Sequence, residues 1–158
     1  MPTYSRATLI HATHSLLDAF ATSSDLTTLL NTFTTIPPPT AHEHGLPQLA
    51  PFLGRTFTGR DQVEEYFTLL SEHLRIESMR FDDEKEWAVD HEAGVVCLKG
   101  HARFVSKKSD VGWDEVFIYR IGLVEDEEMK EVKVRNYEVW ADTGAAYLAA
   151  NGELKRLS

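Results

Sequence analysis

The sequence contains little cysteine: Cys97 is the single one among 158 residues. A lone cysteine excludes an intrachain disulfide and fits a reducing compartment. No apolar stretch approaches the ~20 residues that a membrane-spanning helix needs, and the first ten residues lack the apolar core of a signal peptide. From these absences we expect a cytoplasmic protein with no membrane partner.

Basic residues are also few, with 16 Lys and Arg against 25 Asp and Glu, and the formal net charge is −9. This excludes nucleic acid as a partner, because its recognition needs a basic surface. The hydrophobic fraction of 42% and the charged fraction of 26% are ordinary for a globular protein. Because no repeat or linker is visible, we expect one domain over residues 1–158.

Apolar residues at helical spacing predict three helices in the first half of the chain, over residues 5–21, 25–34 and 60–74. Near the end, Asp142 is a typical N-cap for a short helix over residues 143–150. The first three helices each carry one apolar face. We therefore expect them to pack against a common partner.

After Leu74 the apolar period changes from 3.6 to 2, which predicts strands over residues 76–89, 93–106, 113–124 and 131–141. Strands in sequential hairpins, with the helices segregated to one side, indicate an α+β fold. We expect a cone-shaped, curved antiparallel sheet wrapped around three helices, as in a cystatin-like α+β barrel, with the short C-terminal helix following it.

The strand predicted over residues 113–124 is apolar on both faces, and such strands are covered on both faces. One face is expected to line the core, and the other to be covered by a second subunit. The sequence thus predicts a homodimer through the sheet face. The two sets of side chains are Trp113, Phe117, Tyr119 and Ile121 on one face, and Val116 and Ile118 on the other.

The stretch over residues 41–59 interrupts the helical sequence and contains two histidines in the order His42-Glu43-His44. We interpret it as a short strand at the edge of a pocket, with His42 and His44 on one face and Glu43 solvated on the other. The loop that follows, over residues 45–57, exceeds the usual median of ~4–6 residues. Such a long loop is typical of a lid over a cavity mouth.

Several short motifs follow one another over roughly residues 8–150. They are Asp25-Leu26, Phe33, His42 to His44, Phe57-Thr58-Gly59 and Tyr137-Glu138-Val139-Trp140-Ala141-Asp142. In this order and spacing they resemble the nuclear transport factor 2-like superfamily and, within it, the SnoaL-like proteins. The resemblance implies a scaffold that carries isomerases, dehydratases, epoxide hydrolases, polyketide cyclases and non-catalytic binders, so function has to be argued from the site.

The resemblance to the ketosteroid-isomerase branch implies catalytic positions. His44 falls where that branch has its general base, and a neutral imidazole serves as a base near neutral pH. Glu115 falls at the branch's second acid, where a desolvated carboxylic acid donates to a substrate oxygen. Leu17 stands where the branch has a tyrosine. Other enzymes of the superfamily place a carboxylate on the last strand, which implies a catalytic role for Glu138.

Candidate ligand contacts follow from the expected phase of each strand. On the last strand, every second residue from Val132 through Val134 to Asn136 and onward points to the same side. This side is apolar at both ends of the strand, so we expect it to face the cavity. The aromatic residues among the predicted ligand contacts have an alternative interpretation as ordinary residues of the hydrophobic core. The predicted ligand contacts are His42, Phe52, Tyr66, Trp113, Tyr119, Asn136 and Trp140.

Three functions are compatible with this pattern. The first is a cofactor-free acid–base enzyme (an isomerase, dehydratase, cyclase or epoxide hydrolase) acting on a small apolar metabolite. The second is a non-catalytic ligand-binding protein, and the third is a dimerising adaptor module. His42, His44 and Glu138 are an alternative set of metal ligands, but two histidines two residues apart are a weak signal, so we predict neither metal nor cofactor.

Overall fold

The computed structural model describes residues 3–22 and 25–154 of the chain. Over these two ranges the protein forms four α-helices, seven β-strands and one 3-10 turn. No helix within them combines the length and apolarity needed to cross a membrane. In chain order the elements are α1 (Arg6–Ala21), α2 (Leu26–Leu30), β1 (Thr40–His44), β2 (Thr56–Thr58), α3 (Arg60–His73), β3 (Leu74–Phe81), the 3-10 turn (Glu84–Glu86), β4 (Ala88–Asp90), β5 (Val95–Ser106), β6 (Gly112–Glu125), β7 (Val132–Trp140) and α4 (Thr143–Ala150).

The predicted elements are confirmed, with local differences at their ends. Helix α4 begins after Asp142, whose carboxylate accepts from the backbone N–H of Ala145 at 3.0 Å. Helix α2 is shorter than predicted and is capped by Asp25. The long strand predicted over residues 76–89 is divided, because Asp83 caps the 3-10 turn between β3 and β4.

The strands form one sheet in the order β2-β1-β7-β6-β5-β3. Strand β4 also pairs with β5, on the same edge as β3. Strand β1 runs parallel to β7, which corrects the expectation of a wholly antiparallel sheet, and the other pairs are antiparallel. The order is an open path, so the sheet curves without closing into a barrel. The α+β class and the curved sheet wrapped around helices are as predicted.

Helices α1, α2 and α3 fill the concave side of the sheet. Their apolar stripes meet buried side chains that alternate along the strands, and an aromatic cluster lies where they converge. Phe67 of α3 packs with ring centroids 5.9 Å from Phe33 and 5.6 Å from Tyr137 of β7. This packing leaves a small cavity between α3, β6 and β7.

The loop over residues 45–55 folds back against β1 and will be called the covering loop. The backbone N–H of Gly54 donates to the carbonyl of Glu43 at 2.9 Å. Gly54 has a φ of 71°, and a Cβ there would lie 2.5 Å from the carbonyl oxygen of Gly45, so only glycine fits this turn. Phe52 and Leu53 are consequently held inside, where they form part of the cavity wall.

Candidate active site

An inner cavity of about 50 Å³ lies between the concave face of the sheet and helix α3. This volume holds a few water molecules or one small functional group. Its wall is mostly aromatic and aliphatic, and three carboxyl groups interrupt it: two from different strands, Glu43 and Glu115, and that of Asp142 before α4. The side chains that define it are Glu43, Phe52, Tyr66, Trp113, Glu115, Phe117, Tyr119 and Tyr137.

Glu43 is the more enclosed of the two carboxyl groups, with 6% of its surface exposed. It lies on β1 between Ala41 on the same face and the covering loop. The hydroxyl of Tyr66 on α3 donates to its Oε1 at 2.8 Å. Burial raises the pKa of Glu43 from 4.5 to about 7, and the nearby charge of Glu115 adds to the rise, while the Tyr66 hydrogen bond opposes it.

Glu115 is 8% exposed and reaches the same cavity from β6. The indole N–H of Trp113, two residues earlier on the same strand face, donates to its Oε1 at 3.1 Å. Burial raises the pKa of Glu115 from 4.5 to about 7, and the charge of Asp142 contributes in the same direction. Near neutral pH, both carboxyl groups are therefore poised between their protonated and ionised forms.

Three buried tyrosines pack together beside Glu43. The ring centroid of Tyr137 lies 6.1 Å from that of Tyr66 and 5.0 Å from that of Tyr119. Burial raises the pKa of Tyr66, Tyr119 and Tyr137 above that of a free phenol. All three hydroxyls thus keep their protons at physiological pH.

A larger outer pocket of about 530 Å³ adjoins the inner cavity beneath the covering loop. It is lined by the covering loop, the end of α3, the turn after β5 and helix α4. Five side chains border both spaces and separate them: Phe52, Leu53, Leu74, Thr143 and Ala146. A ligand that reached Glu43 and Glu115 from the outer pocket would pass this boundary.

A scan against protein-family models finds no match, and a search of curated proteins finds none either. Solved structures do match. An NTF2-like protein from Burkholderia xenovorans LB400 superposes with a TM-score of 0.69 at 17% identity, covering 93% of this chain and 98% of that one. The chain has the nuclear transport factor 2-like fold.

Two further structures with this fold are described as ketosteroid isomerase-like and SnoaL-like. A protein with a ketosteroid isomerase-like fold from Catenulispora acidiphila, solved with trimethylamine, gives a TM-score of 0.62 at 13% identity and covers 89% of this chain and 92% of that one. A Mesorhizobium loti protein provisionally assigned as a SnoaL-like polyketide cyclase gives a TM-score of 0.61 at 7% identity. The match covers 84% of this chain and 97% of that one.

In this version of the nuclear transport factor 2-like fold, the two histidines of β1 lie on the outer face of the sheet, away from the cavity. The placement of His42 and His44 in the pocket was wrong, as was the expectation that Glu43 is solvated. Pairing with β7 sets the phase, since Ala41 and Glu43 align with the buried Tyr137 and Val139. A side chain on one face of a strand cannot reach the other.

The outer histidines have local partners. His42 Nδ1 lies 2.9 Å from the hydroxyl of Thr56, and partial burial together with the neighbouring His44 lowers the pKa of His42. The ring of His44 stacks on Trp140 at 4.1 Å and 9°. Its Nε2 is buried without a hydrogen-bond partner and lies 4.0 Å from Oε1 of Glu138. His44 and Glu138 thus meet, but outside the cavity.

The predicted phase of β7 was correct as far as Val134 and wrong beyond it. Leu123 pairs with Val134 while Gly122 pairs with Asn136, so Arg135 is an extra residue that forms a β-bulge. The bulge turns Asn136, Glu138 and Trp140 outward. Asn136 instead donates to the hydroxyl of Thr40 at 2.8 Å. In the described ranges, no group of three His, Cys, Asp or Glu side chains is arranged to hold a metal ion.

Five candidate residues do lie on the cavity wall, where the sequence placed them: Phe52, Tyr66, Trp113, Glu115 and Tyr119. Their roles in binding and catalysis stay predictions. Sequence reasoning missed Glu43 and Tyr137. A signal for Glu43 was available, because Ala41 and Val139 together favour the opposite phase for β1, but its hydroxyl partner lies 23 residues away on α3.

Proposed function

We propose that the protein binds a small, largely apolar metabolite in the inner cavity and catalyses an acid–base reaction on it without a cofactor. The observation that carries this proposal is the convergence of Glu43 and Glu115, from two strands, on one apolar cavity. Isomerisation, dehydration, cyclisation and epoxide opening are the reaction types concerned. Each needs one group to take a proton and another to give one.

The two carboxyl groups are suited to opposite roles. Their pKa values of about 7 are coupled, because the charge of Glu115 disfavours ionisation of Glu43. Ionisation of Glu115 therefore makes Glu43 a weaker acid near neutral pH. Each carboxylate accepts one hydrogen bond, at 2.8 Å from Tyr66 on Glu43 and at 3.1 Å from Trp113 on Glu115. Because the bond from Tyr66 is the shorter one and Asp142 repels a charge on Glu115, we assign the base to Glu43 and the acid to Glu115.

Proton abstraction tests this assignment directly. Deuterium incorporation from D₂O into the α-positions of cyclohexanone, followed by proton NMR, reports general-base activity on a small apolar ketone. We expect Glu43→Gln and Glu115→Gln each to lower the protein-dependent rate by about 10²-fold or more. Glu138→Gln is the matched control, since it removes a carboxylate from the outer face of the same sheet, and the rate should stay unchanged.

Two results would weigh against catalysis. If Glu43→Gln exchanges the cyclohexanone protons as fast as the wild type, Glu43 is not the base. A wild-type protein that binds cyclohexanone yet leaves its exchange at the buffer rate would favour the second candidate, a non-catalytic ligand-binding protein. The third candidate, an adaptor module, predicts that the cavity binds nothing.

We also propose that the protein is a homodimer formed through the outer face of the sheet. Val116, Ile118 and Trp140 are 57%, 40% and 43% exposed there and lie on adjacent strands. Arg120 and Glu138, 3.6 Å apart, place opposite charges beside these apolar side chains. A two-fold axis through this patch packs the apolar side chains of one copy against the same side chains of the other. Each copy also contributes one positive and one negative charge, so opposite charges can meet across the axis, as an isologous interface requires.

A further inference from the structure

Ser106, the last residue of β5, places an unpaired hydroxyl group on the wall of the outer pocket. The residue is 1% exposed and lines this pocket. Its backbone N–H donates to the carbonyl of Val111 at 2.9 Å, and its carbonyl accepts from the N–H of Asp110 at 2.8 Å. The other buried polar residues of the two described ranges each make a side-chain hydrogen bond, whereas the Ser106 hydroxyl makes none there. It is therefore free to donate to a ligand that fills the pocket.

Two lysines follow Ser106 and line the same pocket. Lys107 and Lys108 begin the turn after β5, and both are exposed. The backbone N–H of Lys107 donates to the carbonyl of His73 at 2.9 Å, which fixes the turn against the end of α3. Within the described ranges neither ammonium group forms an ion pair, although acidic residues outnumber basic ones in the chain by 25 to 16. Their positive charge is therefore available to a ligand in the pocket.

The charges that line the two pockets have opposite signs. Among the described residues around the outer pocket, Glu72 is the one carboxylate, so with His73 neutral, two positive charges and one negative charge leave a net charge of +1. The described residues around the inner cavity include the carboxyl groups of Glu43, Glu115 and Asp142 and no Lys or Arg. An anionic group is thus attracted to the outer pocket and repelled from the inner cavity, which sets the orientation of a ligand that carries one.

We propose that the ligand is an apolar carboxylic acid. Its carboxylate binds Ser106, Lys107 and Lys108 in the outer pocket, and its uncharged end enters the inner cavity. This inference rests on the proposed function and names the substrate class of that same site. One carboxylate matches the net charge of the outer pocket, and it accepts charge-assisted hydrogen bonds from the hydroxyl and ammonium groups.

The sizes of the two spaces suit such a ligand. The inner cavity of about 50 Å³ admits one functional group, whereas the outer pocket of about 530 Å³ accommodates the remaining body of a metabolite. Tyr147 of α4 is 40% exposed and lines the outer pocket, so it offers an aromatic surface to that body. Phe52 at the boundary continues this apolar surface towards the inner cavity.

Two matched pairs of compounds test the preference for a carboxylate. 4-Oxocyclohexanecarboxylate and its carboxamide share one ring and one ketone and differ in charge, and (4-oxocyclohexyl)acetate and its amide repeat the comparison at a longer spacing. Dissociation constants are measured by titration NMR at pH 7.5 and low salt. For the wild-type protein we expect the carboxylate of at least one pair to bind about fivefold more tightly than its amide. In about 1 M NaCl, where the screening length is ~3 Å, this ratio should fall to about twofold.

Removing the lysines should reverse the preference. Lys107→Gln combined with Lys108→Gln leaves Glu72 as the charged group on the lining, so the amide should then bind more tightly than the carboxylate. Lys85→Gln combined with Lys130→Gln is the matched control, because it removes the same charge from exposed positions outside the pocket. In this control the ratio should stay within about twofold of the wild-type value.

Ser106→Ala tests the hydroxyl group separately. The variant should bind the carboxylate about tenfold more weakly, because a hydrogen bond to a charged group is lost. Its melting temperature should stay at the wild-type value, since no hydrogen bond within the described ranges is removed. A serine with a structural role would instead lower the melting temperature, and that result would overturn the role of its hydroxyl in binding.

The remaining outcomes separate this inference from the proposed function. Equal affinity for the carboxylate and the amide in both pairs, or a carboxylate preference that survives the loss of both lysines, overturns the inference. If no probe binds, the inference is overturned as well. Exchange of cyclohexanone protons without a carboxylate preference leaves the proposed function in place and overturns the inference alone. A carboxylate preference in a protein that fails to exchange those protons supports the inference and removes only the proposed catalysis.

Discussion

Replacing Glu43 by glutamine removes a buried charge while keeping the size of the side chain and an oxygen that accepts from Tyr66. In the wild-type protein, the pKa of Glu43 is about 7 when folded and 4.5 in an ordinary exposed setting. The difference of about 2.5 corresponds to about 3 kcal/mol at 1.36 kcal/mol for each pKa unit. Ionising Glu43 therefore destabilises the folded protein by about that amount.

The sign follows from the raised pKa. Below pH 4.5, Glu43 is protonated in both states and the stability is intact, and as the pH rises through about 7 the unfolded state loses its proton first, so the stability falls. Glu43→Gln cannot ionise. Its free energy of unfolding relative to wild type should rise by about 3 kcal/mol between pH 4.5 and pH 8, roughly 6–12 °C in melting temperature.

Urea unfolding at intervals of pH measures this difference. A constant offset from burying the amide cancels, because only the change with pH is compared. Glu64→Gln on the exposed face of α3 is the control and should give a flat difference across the range. A Glu43→Gln protein whose stability falls with pH as steeply as the wild type would show that another group titrates, and the buried-charge reasoning would be refuted.

Tyr66→Phe removes the hydrogen bond that favours ionised Glu43, so the fall in stability should move to higher pH in the same urea series; an unchanged midpoint would contradict the contact. Val116→Arg places a charge on the proposed dimer face and should weaken self-association at least tenfold in sedimentation equilibrium, whereas a wild-type monomer at 50 µM would rule the dimer out. Ala146→Trp fills the boundary between the two pockets and should abolish cyclohexanone binding in a protein that still melts cooperatively; unaffected binding would mean that the ligand enters elsewhere.

The fold was accessible from the sequence because it rests on periodicity. The change of period after Leu74 separates the helices from the sheet, and the two apolar phases of residues 113–124 were assigned to the correct faces. There the inward set includes Glu115, which shares its face with four aromatic or aliphatic neighbours. Long alternating segments average over many side chains, so one polar residue does not disturb the assignment.

The site was less accessible, because it depends on short segments and on distant partners. Strand β1 has five residues, of which three are His or Glu, and its phase is set by the neighbouring β7. Glu43 is tolerated inside because the hydroxyl of Tyr66 meets it there. The local sequence of β1 does not indicate that hydroxyl, so the burial of Glu43 cannot be derived from the strand alone.

The extra residue at Arg135 makes the effect of a deletion in β7 depend on its position. Deleting Arg135 would remove the bulge without exchanging the two faces, because strict alternation from Val134 still places Asn136 outside and Tyr137 inside. The deletion of a residue beyond the bulge has the opposite effect: without Glu138, Val139 would follow Tyr137 directly and turn outward. For a library of variants, a single-codon deletion at Arg135 should therefore keep the cavity lining, whereas one at Glu138 should exchange the two faces of the strand end.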